Sequence, residues 1–246
     1  MSPTPTPPTF QAHLVEARSL SSHVRELTFA REDGLVFDFD AGQWVNVVLP
    51  LPSGPLRRAY SIASPPGGDS RFQIAVTRVE GGPGSTCLHE LPLGATITVV
   101  GPQGFFKRPP DATYPSLFVA TGTGITPLRS MIKAALSAGS RARMHLVVGA
   151  RTEADRIYVD ELEALAKRHP NLHASYTLSR ADEAWTGPRG YVQAHVPDLW
   201  RELRALGEGE PHAFVCGLQR MVGAVREVLK KDLGVVRQQV HSERYD

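Results

Sequence analysis

Ser116-Leu117-Phe118-Val119-Ala120-Thr121-Gly122-Thr123-Gly124-Ile125-Thr126-Pro127 is the stretch on which the fold turns. Residues 116–120 form a short apolar run that reads as a buried strand, glycines follow, and Pro127 opens an apolar run of helical period. Two glycines let the backbone approach a diphosphate, and a helix start directs free N–H groups and a partial positive charge at it. Proline suits the first helical turn, where its missing N–H is not needed. A strand, a glycine loop and a helix in this order predict one unit of an α/β sheet that binds a nucleotide.

Downstream the alternation continues. Helices are expected over 127–138, 159–168, 195–206 and 218–233, and strands over 145–149, 172–178 and 213–216. Strands alternating with helices predict a parallel sheet covered on both faces.

Upstream the pattern differs. Short alternating segments at 13–17, 24–29, 44–49, 58–63, 72–79 and 96–100 predict an antiparallel barrel or sandwich. One short helix over 85–91 interrupts it, with Ser85 in the N-cap position. Residues 107–115, with Pro109, Pro110 and Pro115 and no periodicity, read as a linker. The expected organisation is two domains: a disordered tail over 1–9, a barrel over 10–108 and an α/β domain over 112–246.

The chain has 246 residues, and its 27 basic and 25 acidic side chains leave a net charge of +2, which gives no general reason to expect nucleic acid or a membrane surface. Cys87 and Cys216 belong to no metal-binding pattern, so any iron–sulfur centre is expected on another chain. His169 and His173 are separated by Pro170, which breaks the helix that would bring them to one face, so no metal site is expected. The proline-rich start is no signal peptide, and no apolar run approaches the ~20 residues that cross a bilayer. The expectation is a cytoplasmic protein.

Three further clusters carry candidate chemistry. Arg58-Ala59-Tyr60-Ser61 places a cation and an aromatic ring on one face of a strand, with a hydroxyl at its end. A guanidinium suits a diphosphate, a phenol ring suits stacking, and a hydroxyl suits a polar ring atom, although the stretch read alone fits an ordinary barrel strand with an exposed arginine. Ser179 and Arg180 follow a strand, with Arg189 and Tyr191 ten and twelve positions after Ser179. They suit a phosphomonoester beside an adenosine, or form a solvated loop. Cys216-Gly217-Leu218 ends a buried strand, where a cysteine is ordinarily a small hydrophobe. The terminal Glu243-Arg244-Tyr245-Asp246, read alone, is a frayed polar end.

Taken in order, these stretches resemble the plant-type ferredoxin–NADP reductase family over almost the whole chain. The resemblance implies that Arg58 binds the FAD diphosphate, Tyr60 packs on the flavin and Ser61 lies by its reactive edge, with Ala59, Val76 and Thr77 in the same flavin site. Gly82, Gly84, Ser85 and Thr86 resemble the second flavin loop. Gly122, Thr123, Gly124, Thr126 and Pro127 resemble the NADP diphosphate loop, and Ser179, Arg180, Arg189 and Tyr191 the 2′-phosphate pocket. Cys216 and Gly217 are similar to the strand end beside the nicotinamide, Glu243 to a carboxylate that assists the chemistry, and Tyr245 to a ring that covers the flavin. The residue after that tyrosine, Asp246, departs from the family pattern, as does the short loop over 80–82, which lacks an aromatic for the adenine.

The function this implies is hydride transfer from NADPH to FAD, then single electrons to a small acidic carrier, a ferredoxin or flavodoxin, by a monomer. Two alternatives share the motifs: a reductase component of an oxygenase, and a non-catalytic flavin-binding subunit of a redox complex.

Overall fold

The structure, a computed structural model, describes residues 7–52 and 54–245. Its first half is built of β1 (Thr9–Ser19), β2 (Val24–Arg31), β3 (Trp44–Leu51), β4 (Gly54–Ser61), β5 (Arg71–Thr77) and β6 (Thr96–Gln103), with α1 (Pro83–Glu90) before the last strand. The strands form one antiparallel sheet in the order β4-β3-β6-β1-β2-β5. In β1 the alternation buries Phe10, Ala12 and Leu14 and leaves Gln11 exposed and His13 half-buried between them, as a half-solvated sheet requires. The sheet curls around Phe29, Phe37, Phe72, Val47 and Ile74 without a hydrogen-bonded ladder between β4 and β5. Just beyond β4 the edges meet where Ala63 N–H donates to Gln73 O at 2.7 Å. The half is therefore a curled half-barrel.

The second half contains β7 (Ser116–Thr121), α2 (Ile125–Ser137), β8 (Met144–Ala150), α3 (Val159–Arg168), β9 (Leu172–Leu178), α4 (Val196–Ala205), β10 (His212–Leu218), α5 (Gln219–Glu227) and β11 (Val240–Tyr245). Its five strands are parallel in the order β11-β10-β7-β8-β9. One face packs on α2 and α3 through Phe118, Leu146, Leu128 and Leu162. The other packs on α4 and α5 through Val119, Val147, Trp200 and Val225. The first of these cores also takes in Val24, Ala41 and Ala75 of the half-barrel, so apolar packing joins the halves.

Several local expectations change. Thr9 already begins β1 and Pro8 O accepts Gly101 N–H at 3.0 Å, so the described end of the expected tail is held to the sheet; residues 1–6 lie outside the described part. β4 starts at Gly54 rather than at residue 58, because Pro55 is tolerated on an edge strand. Ser85 is not the N-cap of α1. Gly82 holds that position, and Ser85 Oγ accepts Val79 N–H from inside the first turn. The expected helix over 218–233 is α for nine residues and then a single π turn, Val228–Asp232. Residues 240–245 are an edge strand beside β10, not a frayed end. Polar side chains hid it, since a strand held by backbone pairing to a buried neighbour needs little apolar signal. Among residues 104–115, which form no helix or strand, Arg108 is buried and donates to Ser116 Oγ and to the carbonyls of Pro109 and Ala112.

Candidate functional site

The end of β4 and the end of β11 converge from opposite halves of the molecule. Ser61, the last residue of β4, is buried, and its hydroxyl donates to Glu243 Oε1 at 3.1 Å. The Tyr245 hydroxyl donates to the same Ser61 oxygen at 2.6 Å and lies 3.4 Å from Thr126 Oγ1. Strand pairing places Glu243 opposite Cys216 and Tyr245 opposite Leu218. Four expected residues, Ser61, Cys216, Glu243 and Tyr245, therefore meet in one place.

Burial sets the protonation there. It raises the pKa of Glu243, with the Ser61 hydrogen bond acting against it. It pushes the Cys216 thiol far up, with Glu243 acting in the same direction, so this cysteine is a thiol and not a thiolate. Tyr245 is likewise raised well above the phenol range by burial. Burial thus favours the uncharged forms of all three groups, and the site is part apolar with a carboxyl group whose affinity for a proton is raised.

Beside it runs the Gly122 to Pro127 loop. A side-chain carbon on Gly124 would lie 2.2 Å from Cys216 O, so only glycine lets this loop rest on the end of β10. A carbon on Gly217, whose φ is +148°, would meet Thr121 Oγ1 at 2.4 Å. That threonine oxygen is buried without a hydrogen-bond partner, a polar atom facing the close approach. Thr126 Oγ1 donates to Thr123 O and fixes the turn. No side chain caps the turn at Gly122 or the start of α2; Ile125 N–H already goes to the Gly122 and Thr123 carbonyls, so an anion here would meet the N–H groups of the glycine turn itself.

The flavin motif borders a second helix start. The stem of Arg58 lies against Gly84, at 3.4 Å from where a carbon on that glycine would stand. α1 also begins without a side-chain cap, with Pro83 in its first turn. Arg58 and Ala59 are exposed, whereas Tyr60 packs on the half-barrel core and burial pushes its phenol up to about 12. A guanidinium beside uncapped helix N–H groups fits the diphosphate of FAD. Thr77 and Thr86 are half-buried on either side of this loop. Val76 points into the core, so its side chain is not available to a ligand, and its carbonyl accepts from His89 Nε2 at 2.9 Å. The Ser85 hydroxyl is likewise turned to its own loop, on Val79 N–H and Gly82 O.

Toward the opposite edge of the parallel sheet, at the same carboxyl end, Leu178 bridges Arg189, bringing Ser179, Arg180, Arg189 and Tyr191 to the ends of β8 and β9. The Tyr191 ring is 68% exposed, free to cover a base. Arg189 is placed differently from the expectation: its guanidinium donates to the carbonyls of Ala181, Asp182 and Trp185 and holds the loop. Arg180 is exposed, and its N–H donates to Arg151 O. Arg151, also exposed, directly follows β8 and stands beside Arg180 at the strand ends, a position the sequence reading did not single out. Thr121 was missed as well, because a buried orphan hydroxyl has no sequence signature.

Among the described residues no group of His, Cys, Asp and Glu is arranged to hold a metal, and no helix is long and apolar enough to cross a membrane.

Residues 11–107 match the family model of an oxidoreductase FAD-binding domain, and residues 118–227 that of an oxidoreductase NAD-binding domain. Ferredoxin–NADP reductase B of Sorangium cellulosum is 59% identical over 238 residues, which are 96% of this chain and 98% of that protein. The glycine betaine monooxygenase reductase subunit of Pseudomonas aeruginosa is 34% identical over 84% of this chain, and the match spans only 56% of that protein. Of solved structures, the Amycolatopsis cytochrome P450 reductase GcoB superposes with a TM-score of 0.84 at 26% identity, over 98% of this chain and 71% of that one.

Proposed function

We infer the working of the site from one premise: the chain belongs to the ferredoxin–NADP reductase family of FAD- and NAD(P)-binding oxidoreductases. It is an enzyme that moves reducing equivalents between NADPH, FAD and ferredoxin. Bound FAD supplies the step from a two-electron hydride donor to a one-electron acceptor.

What the chain itself does follows from its residues. Arg58 and the start of α1 bind the FAD diphosphate, and Tyr60 offers a ring face to the flavin. The loop from Gly122 to Pro127 binds the NADPH diphosphate, and Ser179, Arg180 and Tyr191 take the 2′-phosphate and adenine. Arg189 supports that pocket by shaping its loop. Ser61 orients the reacting edge of the flavin, and Glu243, its proton affinity raised by burial, stands next to it as the group that exchanges a proton. Cys216 lines the nicotinamide side as a neutral thiol. Tyr245 stands between the two cofactor seats and must yield to the nicotinamide.

The observation that supports this most is the meeting of Ser61, from the FAD half, with Glu243 and Tyr245, from the NADP half, within 3.1 Å. A small acidic carrier, ferredoxin or flavodoxin, is the acceptor in this reading, and the protein works as a cytoplasmic monomer. The test is to load the purified protein with FAD and follow NADPH-dependent reduction of ferredoxin. A protein that binds no flavin, or binds it and ignores NADPH, refutes the reading.

The likeness to a monooxygenase reductase subunit favours a second reading, in which the acceptor is an oxygenase component. Preference for NADH, with electrons passed to an oxygenase rather than to ferredoxin, distinguishes it.

A further inference from the structure

Away from the site, a buried ionic cluster joins the halves. Glu26 of β2 and Arg129 of α2 are 2% and 3% exposed. Glu26 accepts Arg18 Nε and the Tyr158 hydroxyl, each at 2.7 Å, and Arg129 Nη1 stands 3.8 Å away. Arg129 Nη1 also donates to Ala63 O at 2.7 Å and to Gln73 Oε1 at 3.0 Å, while Nε and Nη2 form a fork on Glu161. Its guanidinium lies 4.5 Å over the Tyr158 ring. The next residue, Ser130, donates to Ser64 O at 2.7 Å.

Tyr158 is the one non-glycine residue with positive φ among the described residues, at 63°. A bulky side chain holds that conformation only where its surroundings over-determine it. Here the twist brings one phenol to both Glu26 and Arg129.

The placement matters more than the pairing. Ala63 lies two residues beyond Ser61, and Arg129 two residues beyond Pro127. The cluster therefore grips the chain just behind the flavin-edge serine and the helix just behind the NADPH diphosphate loop. We propose that Arg129 is a positioning residue for hydride transfer, holding these two segments in one registry so that nicotinamide and flavin meet at reacting distance. A misplacement of about 1 Å can cost on the order of a hundredfold in rate. The proposal rests on the reductase reading above.

Removing Arg129 alone leaves Glu26 with Arg18 and Glu161 with Lys133 as the remaining cations, so the test uses the paired variant Arg129→Met/Glu26→Gln, which removes the two most buried charges of the cluster together. Arg129→Lys serves as the conservative companion, keeping the charge without the fork. On the FAD-loaded proteins, four quantities are compared: the single-turnover rate of flavin reduction by NADPH, retained FAD, affinity for 2′-phospho-AMP, and calorimetric unfolding. The paired variant is expected to lose about tenfold or more in rate, with FAD content and 2′-phospho-AMP affinity within about twofold of wild type, and the lysine variant to fall between. Unfolding is expected to split into two resolved transitions. A rate within about twofold of wild type, or a rate loss matched by loss of FAD or of 2′-phospho-AMP binding, overturns the proposal. If NADPH fails to reduce even the wild type, the reductase reading falls and the proposal with it.

Discussion

The Tyr245 hydroxyl donates to Ser61 Oγ over 2.6 Å, tying the last strand of the parallel sheet to the end of the fourth strand of the half-barrel. While this bond stands, Tyr245 occupies the meeting point of the two halves. A ligand that needs the minor, opened arrangement binds with its affinity reduced by the population of that arrangement. Replacing Tyr245 by Ala removes the competitor, and NADP+ binding should tighten by about tenfold, which corresponds to about 1.4 kcal/mol of displaced contact. Difference-spectral titration measures it. Unchanged or weaker binding contradicts the gate.

Glu243 predicts a pH dependence whose sign is fixed by the direction of its shift. Burial raises its folded pKa above the free value of 4.5. The native state therefore binds this proton more tightly than the unfolded chain. Its stabilising contribution is full below about 4.5 and is lost as pH rises through the folded value. Glu243→Gln retains a carbonyl for Ser61 and does not titrate. The melting temperature of wild type minus variant should fall as pH rises through this window, and turnover of the variant should drop by about tenfold or more. A difference that is flat with pH would rule out a raised carboxyl at this position.

Arg58 tests the FAD seat. A charge-assisted bond to a phosphate is worth about 1.5–3 kcal/mol, so Arg58→Ala should weaken FAD by roughly ten- to a hundredfold. Because Arg58 lies on the exposed edge strand of the half-barrel, 2′-phospho-AMP binding should be unchanged. Equal FAD affinity in variant and wild type excludes Arg58 as the diphosphate ligand.

In the proposed reading, Arg180 recognises the 2′-phosphate and Arg189 supports the loop. Arg180→Ala should reduce the kcat/KM preference for NADPH over NADH by roughly ten- to a hundredfold. Arg189 instead donates to three backbone carbonyls of the 181–185 loop, so Arg189→Ala should speed amide exchange there. If Arg189→Ala erases the preference and Arg180→Ala does not, the roles are exchanged.

The strand, glycine loop and helix from Ser116 to Pro127 were legible because each signal is local: an apolar run, two glycines and a first-turn proline. So was α3, whose bounds Val159–Arg168 match the sequence pattern. What was illegible depends on distant partners. β11 is polar and gains its structure from pairing with β10, and Ser85 looks like a cap until its hydroxyl is seen on Val79 N–H. Arg189 reads as a phosphate cation until the loop carbonyls claim it. Glu26 and Arg129 carry a weaker signal, each a charge inside an otherwise buried run, but nothing local pairs residues 103 positions apart. The roles of Ser61 and Glu243 came from resemblance. Their contact came only from the fold.

The most direct measurement is the ratio of kcat/KM for NADPH over NADH in ferredoxin reduction by the FAD-loaded wild type. The account predicts that NADPH is preferred by roughly a hundredfold, the scale of one to two charge-assisted phosphate contacts. Equal efficiency with both nucleotides would contradict it.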